Sequence, residues 1–244
     1  MAADLRFWFD PVCPFAWMTS RWVRLVQEQR SYDVQWRFIS LRLLNAHVDY
    51  DAQFPPEYEA GHTSGLRLLR VCARVREEHG GDAVARLYAA LGDRIFETPR
   101  QGGWTGADHR LDERGTAAFL EPVLRSLDLP TSLSAALVDD SQDAVVQSET
   151  DEALALTGRD VGTPIMQVDP PDGIAFFGPV ISRVPDAAGA AELWDHVVGL
   201  ARFPGFAELK RSLREKPQLP SFGVAQDAAG EQEDWHGGSR RQKK

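Results

Sequence analysis

Two kinds of apolar pattern alternate along the chain. Leu5 to Phe9 is a short, continuous, aromatic-rich apolar run, with the length and composition of a buried strand. Asp10 and Pro11 break it. Beyond them Trp17, Val23, Leu25 and Val26 recur among Thr19, Ser20, Arg21, Arg24, Gln27 and Glu28, which predicts an amphipathic helix. Ser31-Tyr32-Asp33 reads as a turn, and Val34 to Ile39 alternates in β-forming residues, which predicts a second strand. Strand, helix and strand of these lengths make a right-handed βαβ unit with parallel strands.

Leu41 to Tyr58, with Asn45, His47, Asp49, Pro55 and Pro56, reads as a connector of unassigned structure. From about Ser64 to Thr157 the period is helical. Leu66, Leu69, Val71, Cys72 and Val75 mark one helix and Ala83 to Phe96 another. Glu113 to Leu127, Ser132 to Val138 and Asp143 to Leu156 mark three more, with Thr131 or Ser132 and Asp140 or Ser141 as caps. The pattern changes at Gly158. Val161 to Val168 is a strand entered through Thr163-Pro164, and Pro170, Pro171, Asp172 and Gly173 make a turn. Ile174 to Phe177 is a second short strand, antiparallel by its tight connection, and Asp186 to Phe203 is a final helix. From about Pro217 the chain is polar and Gly-rich and ends in a basic run, which predicts a disordered tail.

Composition narrows the picture without changing it. The 244 residues, 43% hydrophobic and 26% charged, suit an ordinary soluble domain with one sizeable core or two small ones. A formal net charge of -9 gives no electrostatic case for nucleic acid or an anionic membrane as partner. No apolar stretch approaches the roughly 20 residues that span a bilayer, and Met1 to Arg6 carries neither a basic region nor an apolar signal core. The expected location is the cytoplasm. Two cysteines, Cys13 and Cys72, are then free thiols rather than a structural disulfide. Neither has a second cysteine or histidine at ligand spacing, so no metal is expected.

Cys13 sits where the first strand hands over to the first turn of a helix, followed by Pro14, whose missing N–H costs nothing there. Unpaired backbone N–H groups and the helix dipole favour a thiolate at that place, so the expected thiol pKa lies below the free value of about 8.5. Cys72 lies on an apolar helical stripe with Leu68 and Val75, which predicts burial. Phe15, Trp17 and Trp22 are candidates for a cleft wall or for core. Trp104, in a Gly-rich loop, is a candidate cover for the site or a surface anchor. His62 and His109 are candidate thiolate partners or plain capping histidines, and Arg21 and Arg24 candidate carboxylate contacts or solvated charges. Asp10 is a candidate proton carrier or simply the turn-maker before Pro11.

Strand, Cys-Pro-aromatic-x, helix at the amino terminus resembles the active site of the DsbA-like branch of the thioredoxin superfamily. The longer run from Phe9 through Asp10-Pro11-Val12-Cys13-Pro14-Phe15-Ala16-Trp17 to Trp22 is closer still to the mycothiol-dependent nitroreductase group of actinobacteria. Those proteins usually carry Cys-Pro-Trp-Cys, and here Ala16 stands in place of the resolving cysteine. The resemblance implies an α/β thioredoxin fold, DsbA-like, with a large all-helical insertion. Residues 1–63 would be its first half, 64–157 the insertion, 158–205 its second half and 206–244 an extension. It also implies a cis proline opposite the active-site cysteine, for which Val161-Gly162-Thr163-Pro164 is the matching loop. Read alone, Pro164 is an ordinary trans proline opening a strand.

The site expected from residues and resemblance together is therefore Cys13 as nucleophile, with Pro14, Phe15, Trp17, Trp104, Thr163 and Pro164 around the substrate. Without a second cysteine, Cys13 can form one covalent adduct that a small thiol must release. The resemblance makes mycothiol that cosubstrate, or glutathione in a different source, and nitro compounds, other electrophiles or disulfides the substrates. Two alternatives stay open. One is a transferase or isomerase like the kappa-class glutathione transferases. The other is a redox-silent thioredoxin fold that binds a partner through the Pro164 loop, with an unreactive Cys13. Homodimerisation is compatible with the chain, and nothing in the sequence localises an interface.

Overall fold

The computed structural model describes residues 3–53, 57–99, 113–211, 213–225, 228 and 232–234. Its centre is a four-stranded sheet. β1 (Leu5–Phe9) lies between parallel β2 (Val34–Phe38) and antiparallel β3 (Ile165–Val168), and β4 (Ala175–Phe177) pairs antiparallel on the outside of β3. Phe7 faces Trp36 on one side and Met166 on the other, so the amino-terminal and carboxy-terminal parts of the chain meet on one strand.

β1 is buried on both faces, which is why it reads as a continuous apolar run rather than an alternation. Phe7, Phe9 and Met166 enter the larger core with helix α1 (Pro14–Gln29). Trp8 and Ile165 enter a smaller cluster on the other face, with Ile39 and Ala153. Between β2 and β3 the chain makes two short helices, α2 (Leu41–Leu44) and α3 (Tyr50–Gln53), and then two long ones, α4 (Glu57–His79) and α5 (Gly81–Gly92). α5 runs into a π-helical turn at Asp93–Glu97. After 3-10 turns, α6 (Ala117–Ser126) and α7 (Asp143–Thr157) complete the insertion, and α8 (Ala187–Ala201) follows β4. The expected fold class holds. The helical segment starts earlier than the apolar stripe indicates, because the first turns of α4 carry Glu57, Tyr58 and Glu59 rather than core residues.

Ion pairs fasten the insertion to the sheet. Buried Glu149 of α7 accepts the Phe38 N–H at 2.7 Å and pairs with Arg76 of α4 at 2.7 Å and Arg37 of β2 at 3.4 Å. Glu152, one turn on, takes Arg6 and Arg37. On the other side α1 packs on α8, with the Trp22 indole N–H on the Ala190 carbonyl at 2.9 Å and the Trp22 and Trp194 rings 5.5 Å apart.

The polar composition from Pro217 onward does not produce disorder at that point. Leu219 is fully buried in the main core and Phe222 packs against it, within a 3-10 turn at Pro220–Phe222. Gln218 N–H donates to Ser182 at 2.8 Å, and Glu215 takes Arg183. Leu219 and Phe222, with these polar ties, anchor the strap among polar neighbours, and average composition does not weigh where individual residues fit.

Candidate active site

β1 ends at Phe9, and Asp10 bends the chain. Its backbone carbonyl accepts the Cys13 N–H at 3.0 Å and its side chain accepts the Val12 N–H at 3.1 Å. α1 then starts at Pro14 with Cys13 as its cap. The Ala16 N–H donates to the Cys13 sulfur at 3.4 Å, so a thiolate there would be met by a free helix-terminal donor.

The second half of the site arrives from far along the chain. The Thr163–Pro164 bond is cis. The Thr163 carbonyl oxygen lies 3.5 Å from the Cys13 sulfur and accepts its S–H. Thr163 Oγ1 donates to the Trp8 carbonyl at 3.3 Å, and the Pro164 carbonyl takes the Gly178 N–H at 2.8 Å, so β1 and the residue after β4 both fix the loop. Pro164 is cis here, not the trans proline of the bare sequence reading.

The thiol does not carry the lowered pKa that its helix position predicts. Burial pushes Cys13 up to about 12; the Ala16 N–H pulls it down, the Asp10 charge pushes it further up, and the Phe15 N–H again pulls down. Cys13 is 7% exposed, so desolvation of the charged form outweighs the helix terminus. Asp10 is itself fully buried, and desolvation raises it to about 7 against the N–H groups of Leu41 and Val12.

The predicted site residues divide. Cys13, Phe15, Thr163 and Pro164 are brought together and are nearly closed to solvent, with Pro14 half-buried beside them. Trp17 does not present a cleft wall: it is 3% exposed, with its indole N–H on Glu97 at 2.8 Å and its ring against Tyr88 and Phe96. Arg21 ends on the same Glu97 oxygen at 2.9 Å, and Arg24 turns inward over the Trp36 ring to the Ala85 carbonyl. His62 is paired with the Tyr50 hydroxyl at 2.9 Å rather than with the thiol. Burial, then the Arg42 charge, lowers it to about 4. Cys72 is fully buried and pushed up to about 12 by that burial, as a core thiol should be. Trp104 and His109 lie outside the described residues.

Two contributors escaped the sequence reading. Glu97 anchors Trp17 and Arg21, and only its position at the end of an apolar helix hinted at a tie. Gly65 lets α4 approach the turn at Asp10–Cys13: a Cβ there would lie 2.5 Å from Asp10 Oδ1 and 2.8 Å from Val12 Cγ2. A glycine inside a helical stripe is the sequence mark of such an approach. Among the described residues no group of three or more His, Cys, Asp or Glu could hold a metal ion, and no helix is long and apolar enough to cross a membrane. One thiol, one helix-terminal donor and one carbonyl acceptor can form a single covalent adduct, which takes an external thiol to release.

Comparison with known proteins adds three likenesses. The family profile described as "Rv2466c-like: Mycothiol-dependent nitroreductase Rv2466c" matches residues 12–211. The uncharacterized protein Rv2286c of Mycobacterium tuberculosis is 30% identical over 210 residues, 84% of this chain and 80% of that one. Among solved structures, the probable DsbA oxidoreductase SCO1869 of Streptomyces coelicolor aligns with a TM-score of 0.47 at 15% identity, over 89% of this chain and 98% of its own.

Proposed function

The chain belongs to the Rv2466c-like mycothiol-dependent nitroreductase family, and from that premise we propose that it works with a single protein thiol, Cys13, and a low-molecular-weight thiol as cosubstrate. It is a thiol-dependent oxidoreductase; mycothiol as the cosubstrate, nitro compounds or other electrophiles as substrates, and the cytoplasm as its place of action are parts of the proposal. Pro14, Phe15, Thr163 and Pro164 form the wall against which the substrate sulfur or electrophile meets Cys13, with Trp17 and Glu97 supporting that wall from behind.

The observation that carries this reading is the geometry at residue 16. Ala16 gives its backbone N–H to the Cys13 sulfur and offers no sulfur of its own. The electrons still balance. For a nitro substrate, the Cys13 thiol and one mycothiol supply two hydrogens and two electrons, releasing the nitroso compound and water and leaving a Cys13–mycothiol disulfide. A second mycothiol attacks that disulfide, frees Cys13 and leaves as mycothiol disulfide. No internal disulfide is needed.

The test is mass spectrometry of the protein after exposure to oxidised mycothiol, with Cys13→Ser as control. One adduct on Cys13, removed by reduced mycothiol, is the expected result. A protein that takes no adduct overturns the proposal. One observation favours the redox-silent binding protein instead: Cys13 is buried and its thiol is raised. The same experiment separates the two, since an inert thiol takes no adduct.

A further inference from the structure

Asp10 is the one carboxyl in the active-site turn, and nothing in the monothiol scheme uses it. It is fully buried. Oδ1 accepts the Val12 N–H at 3.1 Å and Oδ2 accepts the Leu41 N–H, at the start of α2, at 2.8 Å. Its backbone carbonyl holds the Cys13 N–H at 3.0 Å. α4 seals it from the far side through Gly65, where a larger residue would collide with the carboxyl. Among the described residues it has no ion-pair partner. Four ionisable groups feel its charge: Cys13 at the cap of α1, Tyr50 on α3, Cys72 on α4 and Tyr88 on α5. All four are neutral when protonated and become anions on losing a proton.

We propose that Asp10 is a positioning residue that sets the pH range in which Cys13 becomes a nucleophile: it pins the active-site turn through two backbone N–H groups and places a buried carboxyl three residues before the thiol. The proposal rests on the reading of Cys13 as the nucleophile. A site this dry holds one negative charge far more easily than two. While Asp10 carries its proton, Cys13 can lose its own and be stabilised by the Ala16 N–H. Once Asp10 has ionised, forming the thiolate means placing a second anion in the same enclosure. Burial brings the Asp10 midpoint to about 7, so the changeover falls within the working range of a neutral-pH enzyme.

This makes the rate–pH profile of Cys13 alkylation diagnostic in the unmodified protein. Iodoacetamide reacts with the thiolate, and labelling is read by mass on the Cys13 peptide so that Cys72 does not contribute. Below the Asp10 midpoint the rate climbs about tenfold per pH unit, as for any thiol below its pKa. Near pH 7 the expected profile flattens into a shoulder, because each further loss of protons ionises Asp10 rather than Cys13; it climbs again at higher pH. In Asp10→Asn, checked for folding by circular dichroism, the shoulder disappears. That variant reacts about tenfold or more faster at pH 8, the change expected from removing a buried like charge. A single unbroken slope in the wild type overturns the proposal, as does an Asp10→Asn profile that overlays the wild type. If Asp10→Asn does not fold, the wild-type profile alone decides. Turnover plays no part in the readout. A protein that shows the shoulder but takes no mycothiol adduct keeps the role of Asp10 and loses the proposed function, and the reverse outcome does the opposite.

Discussion

The sulfur of Cys13 and the carbonyl oxygen of Thr163 face each other at 3.5 Å. The first caps a helix, the second precedes a cis proline. The contact gives the thiol an acceptor for its proton on one side while Ala16 N–H approaches from the other.

Ala16→Cys places a second sulfur where the Ala16 N–H already reaches the first, one helical turn along. The expected product is a disulfide between Cys13 and the introduced thiol, read as the loss of two hydrogens by mass after mild oxidation. The mycothiol adduct should then become transient, because the introduced sulfur expels it. A long-lived adduct in this variant would mean that the second position cannot be reached by an attacking sulfur.

Gly65→Ala should destabilise the fold. The added methyl would lie 2.5 Å from Asp10 Oδ1 and 2.8 Å from Val12 Cγ2, and overpacking of this kind costs about 1–3 kcal/mol. Denaturant unfolding measures it. An unchanged midpoint would show that α4 can shift away from the active-site turn without cost.

Glu97→Gln removes the charge from an oxygen that receives both the Trp17 indole and the Arg21 guanidinium. Glu97 and Arg21 both keep some exposure to solvent, so the expected loss is modest, about 1 kcal/mol. The Cys13 alkylation profile should not move. If it did, Trp17 would be part of the reactive surface rather than its backing.

His62 supplies a pH signature. Its folded midpoint, lowered to about 4 by burial and then Arg42, lies under the ordinary value of about 6.5. The unfolded chain therefore binds the proton more readily, and stability is lost as pH falls from about 6.5 toward 4. Asp10 runs the other way: its folded midpoint is raised, so it favours the folded state most in acid and less as pH rises toward 7. His62→Asn should cost stability at pH 7, where the Tyr50 bond is weakened, and that cost should shrink by pH 4. The Asp10 contribution cancels in the difference. A cost independent of pH would contradict the lowered midpoint.

Leu219→Ala tests the strap. The side chain is fully buried, and truncating a buried leucine costs about 2–5 kcal/mol. Unfolding midpoints close to wild type would show that the strap adds nothing to the core.

The parts of this architecture that are encoded locally were legible in the chain. β1, the Asp10 turn and α1 follow one another without interruption, and each is marked by its own pattern or cap. Asp186 marks the start of α8 in the same way, its side chain accepting the Gly189 N–H at 2.7 Å. The fold class followed from that order together with the resemblance. What stayed hidden depends on tertiary surroundings. The helix terminus predicts a more acidic Cys13, but burial reverses this, and the Thr163 carbonyl that lies on the sulfur comes from 150 residues along the chain. Trp17 on an apolar helix face fits a cleft or a core equally well until Gly92 is seen beneath it, where a Cβ would lie 2.1 Å from the indole. Leu219 is a single apolar residue in a polar stretch, and averaging conceals it.

The position of β1 between β2 and β3 also has a consequence for biosynthesis. One neighbour of β1 is translated soon after it, while the other is delayed until after residue 164. At synthesis rates of about 5–20 residues per second, that delay is on the order of 8–30 seconds. Through that interval Cys13 has left the ribosome without the carbonyl that will shelter it. The newborn chain is thus more open to oxidants and cellular thiols than the finished protein.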